Sequence, residues 1–178
     1  MKTSDVLFAR LQALGAGEFE HINGSLAAHL RGTEKMLRAW GASESLCTAG
    51  LYHAVYGTDG YDPALASVAG RGVIAKLIGA EAEALAYLYG ACDRTVFYPR
   101  IGTEAQLVFA DRFSNGEYDI PPGQLSQLCE LIVANELELA SNNAGFRTKH
   151  AAAMSRLFDR MSGLVSPGCV QAYRRMLC

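Results

Sequence analysis

Histidine is the side chain best suited to proton transfer or metal binding near neutral pH. The sequence contains four histidines, and two of them, His29 and His53, lie in adjacent stretches with helical hydrophobic spacing. Gly41 separates these stretches, and each histidine lies twelve residues from it. If the two helices fold back on each other at Gly41, both imidazoles lie at the same height. The spacing therefore predicts a shared polar site with acid–base or metal chemistry, and two unrelated core histidines are the alternative.

Other polar side chains lie near the ends of the same two predicted helices. His21 precedes the first helix, so its imidazole is expected either to fold over the site or to lie at the surface. Asp59 follows the second helix, from where its carboxylate is expected to reach back toward the site as a ligand. Tyr56 and Thr58 offer hydroxyl groups at the same helix end, whereas His150 lies far along the chain and is expected to be exposed.

Two further groups of residues predict acid–base and anion-binding chemistry. Asn135, Glu138 and Asn142 lie at positions i, i+3 and i+7 of a long predicted helix, and thus on one face. That face either lines the site or is solvated. Arg94 and Arg112 each follow an aspartate. Each arginine is expected either to bind a carboxylate or phosphate group through its guanidinium or to form an ion pair at the surface.

The elements that must position these groups are mainly helical. Capped stretches with a hydrophobic period near 3.6 predict an all-α bundle of about seven helices. Residues 95–98 and 107–109 are β-prone, and Ser114-Asn115-Gly116 has the composition of a turn. Together they predict at most one short β-hairpin, between residues 95 and 120, with a structured loop or an irregular lid over the site as the alternative. No linker or repeat divides the sequence, so residues 1–178 are expected to form a single domain.

Composition limits the classes of partner. Sixteen Lys and Arg residues against 18 Asp and Glu residues give a net charge of −2, so no general attraction to nucleic acid or anionic membranes is expected. No apolar run approaches the roughly 18 residues that span a bilayer. Five cysteines without a CxxC pair favour a reduced, cytoplasmic protein. The expected partner is a small-molecule substrate. The sequence leaves open whether the protein forms a homo-oligomer.

The segment from His29 to Asp59, HLRGTEKMLRAWGASESLCTAGLYHAVYGTD, resembles the HD superfamily of helical metal-dependent phosphohydrolases and related oxygenases. It is similar to the start of the guanosine-tetraphosphate hydrolase domains, in which a first histidine opens a helix and a His-Asp pair ends the next one. Residues 73–89 and 132–138 resemble later helices of those domains, so the resemblance covers about residues 21–142.

The resemblance implies an HD-like helical bundle with a metal site and hydrolase or oxygenase chemistry on a small polar or anionic substrate. The sequence departs from the HD pattern at two ligand positions, since Ala54 replaces the aspartate of the His-Asp pair and Asn135 replaces the late aspartate. The expected metal is Zn, Fe or Mn, because imidazole nitrogen suits transition ions better than Mg. Its expected ligands are either three imidazoles, with His21 joining His29 and His53, or histidine together with Asp59.

Two functions follow from these patterns. The first is a small-molecule enzyme that uses a metal or histidine acid–base chemistry. Its expected catalytic residues are His29, His53, Asn135 and Glu138, and its expected substrate-binding residues are Tyr56, Thr58, Arg94 and Arg112. The alternative is a catalytically inactive HD-fold module that binds a ligand, has a regulatory role and holds no metal, which the two lost carboxylates favour.

Overall fold

The computed structural model describes residues 3–21, 24–104 and 107–177, apart from the side chains of Glu20 and His21. In this part of the chain there are nine α-helices, where about seven were expected. The helices are α1 (Thr3–Leu11), α2 (Leu26–Ala39), α3 (Glu44–Tyr52), α4 (Arg71–Ile78), α5 (Ala80–Ala91), α6 (Arg94–Arg100), α7 (Pro122–Asn142), α8 (Ala144–Met161) and α9 (Pro167–Leu177). A π-helical turn (Gln12–Ala16) extends α1, and a 3₁₀ turn (Val68–Gly70) precedes α4. The predicted all-α class is confirmed.

Two short antiparallel hairpins complete the secondary structure of the described residues, where at most one was expected. Strands β1 (Glu20–His21) and β2 (Gly24–Ser25) pair just before α2. Strands β3 (Phe109–Asp111) and β4 (Gly116–Tyr118) pair with Phe109 opposite Tyr118. Asn115 in the second turn has φ of 53°, a left-handed conformation that asparagine tolerates. The hairpin predicted between residues 95 and 120 is therefore present.

The β-prone residues 95–98 are helical rather than extended, so the strand prediction for this segment was wrong. The Asp93 side chain caps α6, because its Oδ1 accepts hydrogen bonds from Thr95 N at 3.1 Å and Val96 N at 3.2 Å. Phe97 is fully buried, and its ring centroid lies 5.2 Å from that of Phe109. Capping and tertiary packing thus outweigh the weak β-propensity of the segment.

Helices α2 and α3 form a packed pair around the Gly41 turn. Ser25 and Ser43 cap the two helices, each through a side-chain oxygen that accepts a backbone N–H at 3.2 Å. Gly41 has φ of 80°, which a residue without Cβ adopts at little cost. A Cβ on Gly50 would lie 2.5 Å from Leu37 Cδ1, so the absence of a side chain there allows the helices to approach closely.

Helix α7 is the central helix of the fold. Its residues 128–135 are buried without interruption, and it packs against α2, α3, α5, α8 and α9. One hydrophobic cluster surrounds it, and a second joins α1, α2, α3 and α5. Any polar side chain on the buried stretch of α7 therefore needs a partner inside the protein.

The described helices contain no segment that is long and apolar enough to cross a bilayer.

Four cysteines, Cys47, Cys92, Cys129 and Cys169, are buried and unbridged. Burial raises the pKa of the Cys92 and Cys129 thiols to about 12, so both are protonated near neutral pH and pack as small apolar side chains.

Candidate functional site: a buried pair of histidines

The structure brings the imidazoles of His29 and His53 together. His29 lies in the first turns of α2, and His53 follows the last residue of α3. Their ring centroids are 5.2 Å apart, the ring planes meet edge to face at 86°, and both residues are buried. The matched spacing around Gly41 thus correctly predicted that the two rings share one site.

Helix α7 holds the His29 ring through two side chains on its inward face. The Nδ1–H of His29 donates a hydrogen bond to Glu138 Oε2, and its Nε2 lies 2.9 Å from Asn135 Oδ1. The other carboxylate oxygen of Glu138 accepts from Asn142 Nδ2 at 2.6 Å. Since Asn135 Nδ2 donates to Glu136 Oε1 at 3.3 Å, the amide presents its oxygen to the ring. Both nitrogens of His29 thus face side-chain oxygens of α7.

The His53 ring is held in a different way. Its Nδ1–H donates to the Gly50 carbonyl oxygen at 2.7 Å, so Nε2 is the acceptor nitrogen of the neutral ring. The imidazole also meets the Tyr89 ring in a T-shaped contact, with centroids 4.8 Å apart. The backbone bond and the aromatic contact together fix the orientation and tautomer of His53.

A cavity of about 270 Å³ opens beside the two histidines, and we call it the histidine cavity. Its lining comes from five regions of the chain, namely α2, the segment from the end of α3 to Tyr61, the start of α6, α7 and the start of α8. The lining residues are Leu26, His29, His53, Ala54, Thr58, Asp59, Gly60, Tyr61, Arg94, Asn135, Glu136, Leu139 and Phe146. Residues far apart in sequence therefore meet around one small space.

Arg94 brings a positive charge to the histidine cavity. It is the first residue of α6, and its backbone N–H donates to Asp59 Oδ2 at 3.0 Å. Its Nη2 donates to the Tyr89 hydroxyl at 2.9 Å, and its Nη1 lies 3.6 Å from Glu136 Oε1. Burial opposes the charge, but the surrounding tyrosine and glutamate groups raise the pKa of Arg94 above its ordinary value. The guanidinium therefore remains charged.

Glu136 is a functional-site residue that the sequence patterns did not single out. Desolvation by burial raises its pKa above the ordinary value of 4.5, although Arg94, Asn135 and His29 oppose the shift. A charged residue between the apolar residues 131–134 and Leu137 was the signal that could have identified it. Tyr89 also belongs to the site, because it contacts both His53 and Arg94.

Two predicted substrate-binding residues do not line the histidine cavity. The Tyr56 hydroxyl donates to Glu83 Oε1 at 2.8 Å, in a buried network that includes Arg71. Arg112 Nε donates to the Gly90 carbonyl at 2.7 Å, and its guanidinium lies over the Phe113 ring. Both side chains are thus directed into structural contacts. Thr58 and Arg94, the other two predicted substrate-binding residues, do line the cavity.

The predicted metal ligands are only partly brought together. His29 and His53 meet, and Asp59 lines the same cavity while its Oδ2 accepts from the backbone of Arg94. No group of three or more His, Cys, Asp or Glu residues within the described part of the chain is arranged to hold a metal ion. His21 was predicted to supply a further imidazole ligand, but its side chain is not among those that the structure describes. The described donors alone therefore do not form a metal centre.

The fold and the site together define an all-α domain with a buried histidine pair beside a small polar cavity. Residues 10–94 match the family model described as "Domain of unknown function (DUF6817)". The matched segment contains His29, His53, Thr58, Asp59 and Arg94, while the contributions of α7 and α8 to the cavity follow it. No match is found among curated proteins or among solved structures.

Proposed function

We propose that the protein is an enzyme that uses His53 for proton transfer on a small molecule with an anionic group, bound in the histidine cavity. The observation that carries this proposal is the pairing of two oriented imidazoles, 5.2 Å apart, with the charged Arg94 around one cavity. Imidazole exchanges protons near neutral pH, and a fixed ring avoids the cost of orientation during reaction.

His53 is the proposed acid–base residue. Its Nδ1 is occupied by the Gly50 carbonyl, so proton exchange takes place at Nε2. In hydrolysis, Nε2 takes a proton from water while the water oxygen forms a bond to the electrophilic atom of the substrate. The bond to the leaving group then breaks, the leaving group keeps the electron pair, and His53 returns the proton to it.

Arg94 is the proposed binding group for the anionic part of the substrate. A guanidinium matches the geometry of carboxylate and phosphate groups, and only about a fifth of the Arg94 side chain (22%) is exposed, which strengthens the interaction. Glu136 opposes an incoming anion while it is ionised, and desolvation by burial raises its pKa, which lowers the free-energy cost of protonating it when an anion binds. Thr58 contributes a hydroxyl to the same cavity lining.

His29 has a supporting role in this proposal. The Glu138 carboxylate holds its Nδ1–H, and a carboxylate-bound imidazole is a common arrangement in catalytic and metal sites. Asn135 and Glu138 thereby orient His29 and are positioning residues.

The HD resemblance gives separate support to the enzyme hypothesis. The four positions that it equates with metal ligands are His29, His53, Ala54 and Asn135, and all four line the histidine cavity. A metal held by His21, His29, His53 and Asp59, and the oxygenase chemistry that the resemblance implies, stay predictions. The acid–base proposal stands on His53 and Arg94 and requires no metal ligand.

A ligand-binding module without catalysis is the second candidate. Ala54 and Asn135 favour it, because neutral side chains stand where the resemblance implies carboxylates. Asn135 is also engaged with His29 and Glu136 in the structure. A module of this kind would bind the same anionic molecules and leave them unchanged.

Turnover measurements with defined esters separate the two candidates. The probes are p-nitrophenyl phosphate, bis(p-nitrophenyl) phosphate and p-nitrophenyl acetate, each with chelator and with added Zn²⁺ or Mn²⁺. His53→Asn keeps a donor near the Gly50 carbonyl but removes Nε2, and it is expected to lower kcat at least 100-fold. Arg94→Met is expected to raise KM for the phosphate esters. Arg156→Met, at an exposed position of α8, is the control.

The outcomes are distinct. Hydrolysis by the wild type that His53→Asn abolishes supports the enzyme proposal. Turnover that persists in folded His53→Asn overturns the role of His53. Saturable binding of methylphosphonate that depends on Arg94, without turnover of any probe, favours the binding module instead. Circular dichroism spectra of each variant establish that the fold is retained.

A further inference from the structure

A second cavity, of about 260 Å³, lies next to the histidine cavity, and we call it the Tyr98 cavity. Its lining comes from helices α6, α7 and α8. Glu136 and Phe146 line both cavities and therefore form the boundary between them. The other lining residues are Tyr98, His150, Ala153, Met154, Leu157 and Phe158.

The lining of the Tyr98 cavity is mainly apolar. Helix α8 supplies Phe146, His150, Met154 and Leu157, which lie on one face of the helix at spacings of three or four residues. The His150 ring packs on Phe146 with centroids 4.6 Å apart. Apolar and aromatic walls of this kind bind hydrocarbon or aryl groups, because burial removes the apolar surface of the ligand from water.

One residue of this lining, Tyr98, has a side-chain polar atom without a partner. Of the buried side-chain nitrogen and oxygen atoms in the described residues, the Tyr98 hydroxyl is the one without a hydrogen bond. Burial raises its pKa well above the usual value, so the hydroxyl is protonated and able to donate. A buried hydroxyl without a partner costs stability, so a ligand group that bonds to it gains affinity.

Cavity size also links the two spaces. Sites for small molecules usually measure roughly 300–1,000 Å³. The histidine cavity at about 270 Å³ and the Tyr98 cavity at about 260 Å³ each fall below that range, whereas together they lie within it. Because Glu136 and Phe146 line both cavities, a single ligand that extends past these two residues reaches both spaces.

We propose that the Tyr98 cavity is the subsite for the apolar part of the substrate, which therefore carries an aryl or short hydrocarbon group with a hydrogen-bonding atom for Tyr98. This inference rests on the proposed function for the placement of the anionic group in the histidine cavity. Phe146 and Glu136 line both cavities, so the bond that links the apolar and anionic parts of the substrate passes beside these two residues. The substrate class is thus a small amphipathic acid or phosphate ester.

Phenol tests the Tyr98 cavity independently of the anionic group. The ring fills apolar space and the hydroxyl is a partner for Tyr98. In the wild type, titration with phenol is expected to shift the NMR signal of the Met154 methyl group in a saturable manner. Absence of a saturable shift overturns the subsite, even where methylphosphonate binds beside His53.

Two tryptophan variants of neighbouring residues show where phenol binds. Ala153→Trp fills the Tyr98 cavity and is expected to abolish the phenol-dependent shift. Ala152→Trp is the matched control, because Ala152 is also exposed on α8 but does not line the cavity. Equal phenol binding by both variants would place the phenol elsewhere and overturn the proposal. Tyr98→Phe is expected to weaken phenol binding about five- to tenfold, as expected for one hydrogen bond.

Benzylphosphonate tests whether the two cavities serve one ligand. It joins the aryl group of phenol to the head group of methylphosphonate, and it is expected to bind at least 100-fold more tightly than methylphosphonate. In Ala153→Trp this advantage is expected to disappear, while methylphosphonate binds as in the wild type. If methylphosphonate and phenol bind but benzylphosphonate has no advantage, the cavities are separate and the inference fails. If phenol binds but methylphosphonate does not, the proposed anion site fails and the subsite remains.

Discussion

Gly32 of α2 and Glu138 of α7 approach so closely that a Cβ on Gly32 would lie 2.6 Å from Glu138 Oε1. The same Glu138 side chain accepts the hydrogen bond from His29 Nδ1, one helical turn before Gly32. The glycine therefore leaves the space in which the carboxylate reaches the histidine. This contact explains why a residue without a side chain occupies position 32 in the His29-Leu30-Arg31-Gly32-Thr33 segment.

Gly32→Ala is expected to displace Glu138 and destabilise the protein, although alanine favours helix formation. Glu138 cannot retreat without losing its bonds to His29 and Asn142. Gly72→Ala is the matched control, because Gly72 is also helical and a Cβ there meets no atom within 4 Å. Urea denaturation is expected to show a loss for Gly32→Ala and a gain of about 0.5–1 kcal/mol for Gly72→Ala. Equal gains in both variants would contradict this account of Gly32.

Glu138→Ala is expected to lower the free energy of unfolding by about 1–3 kcal/mol. The substitution leaves the buried His29 Nδ1–H and the Asn142 amide without their acceptor. Glu138→Gln keeps an oxygen for His29, so a smaller loss is expected. Urea denaturation measures both values, and ¹⁵N NMR of the imidazoles reports the tautomer of His29. An unchanged His29 spectrum in Glu138→Ala would mean that Glu138 does not position the ring.

Glu136→Gln is expected to stabilise the protein near pH 7 to 8. Because burial raises the pKa of Glu136, the folded state binds its proton more tightly than the unfolded state. The stability that this proton provides is present at low pH and is lost as the pH rises through the folded-state pKa. The advantage of the neutral glutamine therefore shrinks as the pH falls toward about 4. Thermal denaturation between pH 4 and 8 measures it, with exposed Glu81→Gln as the control.

Asp59→Ala is expected to destabilise the start of α6 by about 0.5–2 kcal/mol, as for the loss of a helix cap. Its Oδ2 accepts from Arg94 N at 3.0 Å, so weaker binding of methylphosphonate is also expected. Asp62→Ala, at an exposed position nearby, is the control.

Elemental analysis of the same Asp59 variant tests the metal prediction. If Zn, Fe or Mn is bound by His21, His29, His53 and Asp59, the wild type contains it in stoichiometric amount and Asp59→Ala loses it. A stoichiometric metal that survives both Asp59→Ala and His53→Asn would contradict the predicted ligand set.

The sequence by itself determined the local elements and the meeting of the two histidines. Capping serines, the Gly41 turn and the helical hydrophobic period are local properties, and two equal spans around a tight turn bring His29 and His53 together. For α7, the sequence placed Asn135 and Glu138 one turn apart on one face, but it left open whether that face lines the site or is solvated.

Only the tertiary structure decided which polar groups join the histidines. Arg94 and Arg112 look alike in sequence, because each follows an aspartate, but the fold directs Arg94 to the cavity and Arg112 to the Gly90 carbonyl. The helical state of residues 95–98 and the position of Glu136 at the boundary of two cavities likewise depend on packing between distant segments. Local spacing specifies neighbours within one or two elements, whereas a cavity formed by five regions of the chain depends on long-range packing that no local pattern contains.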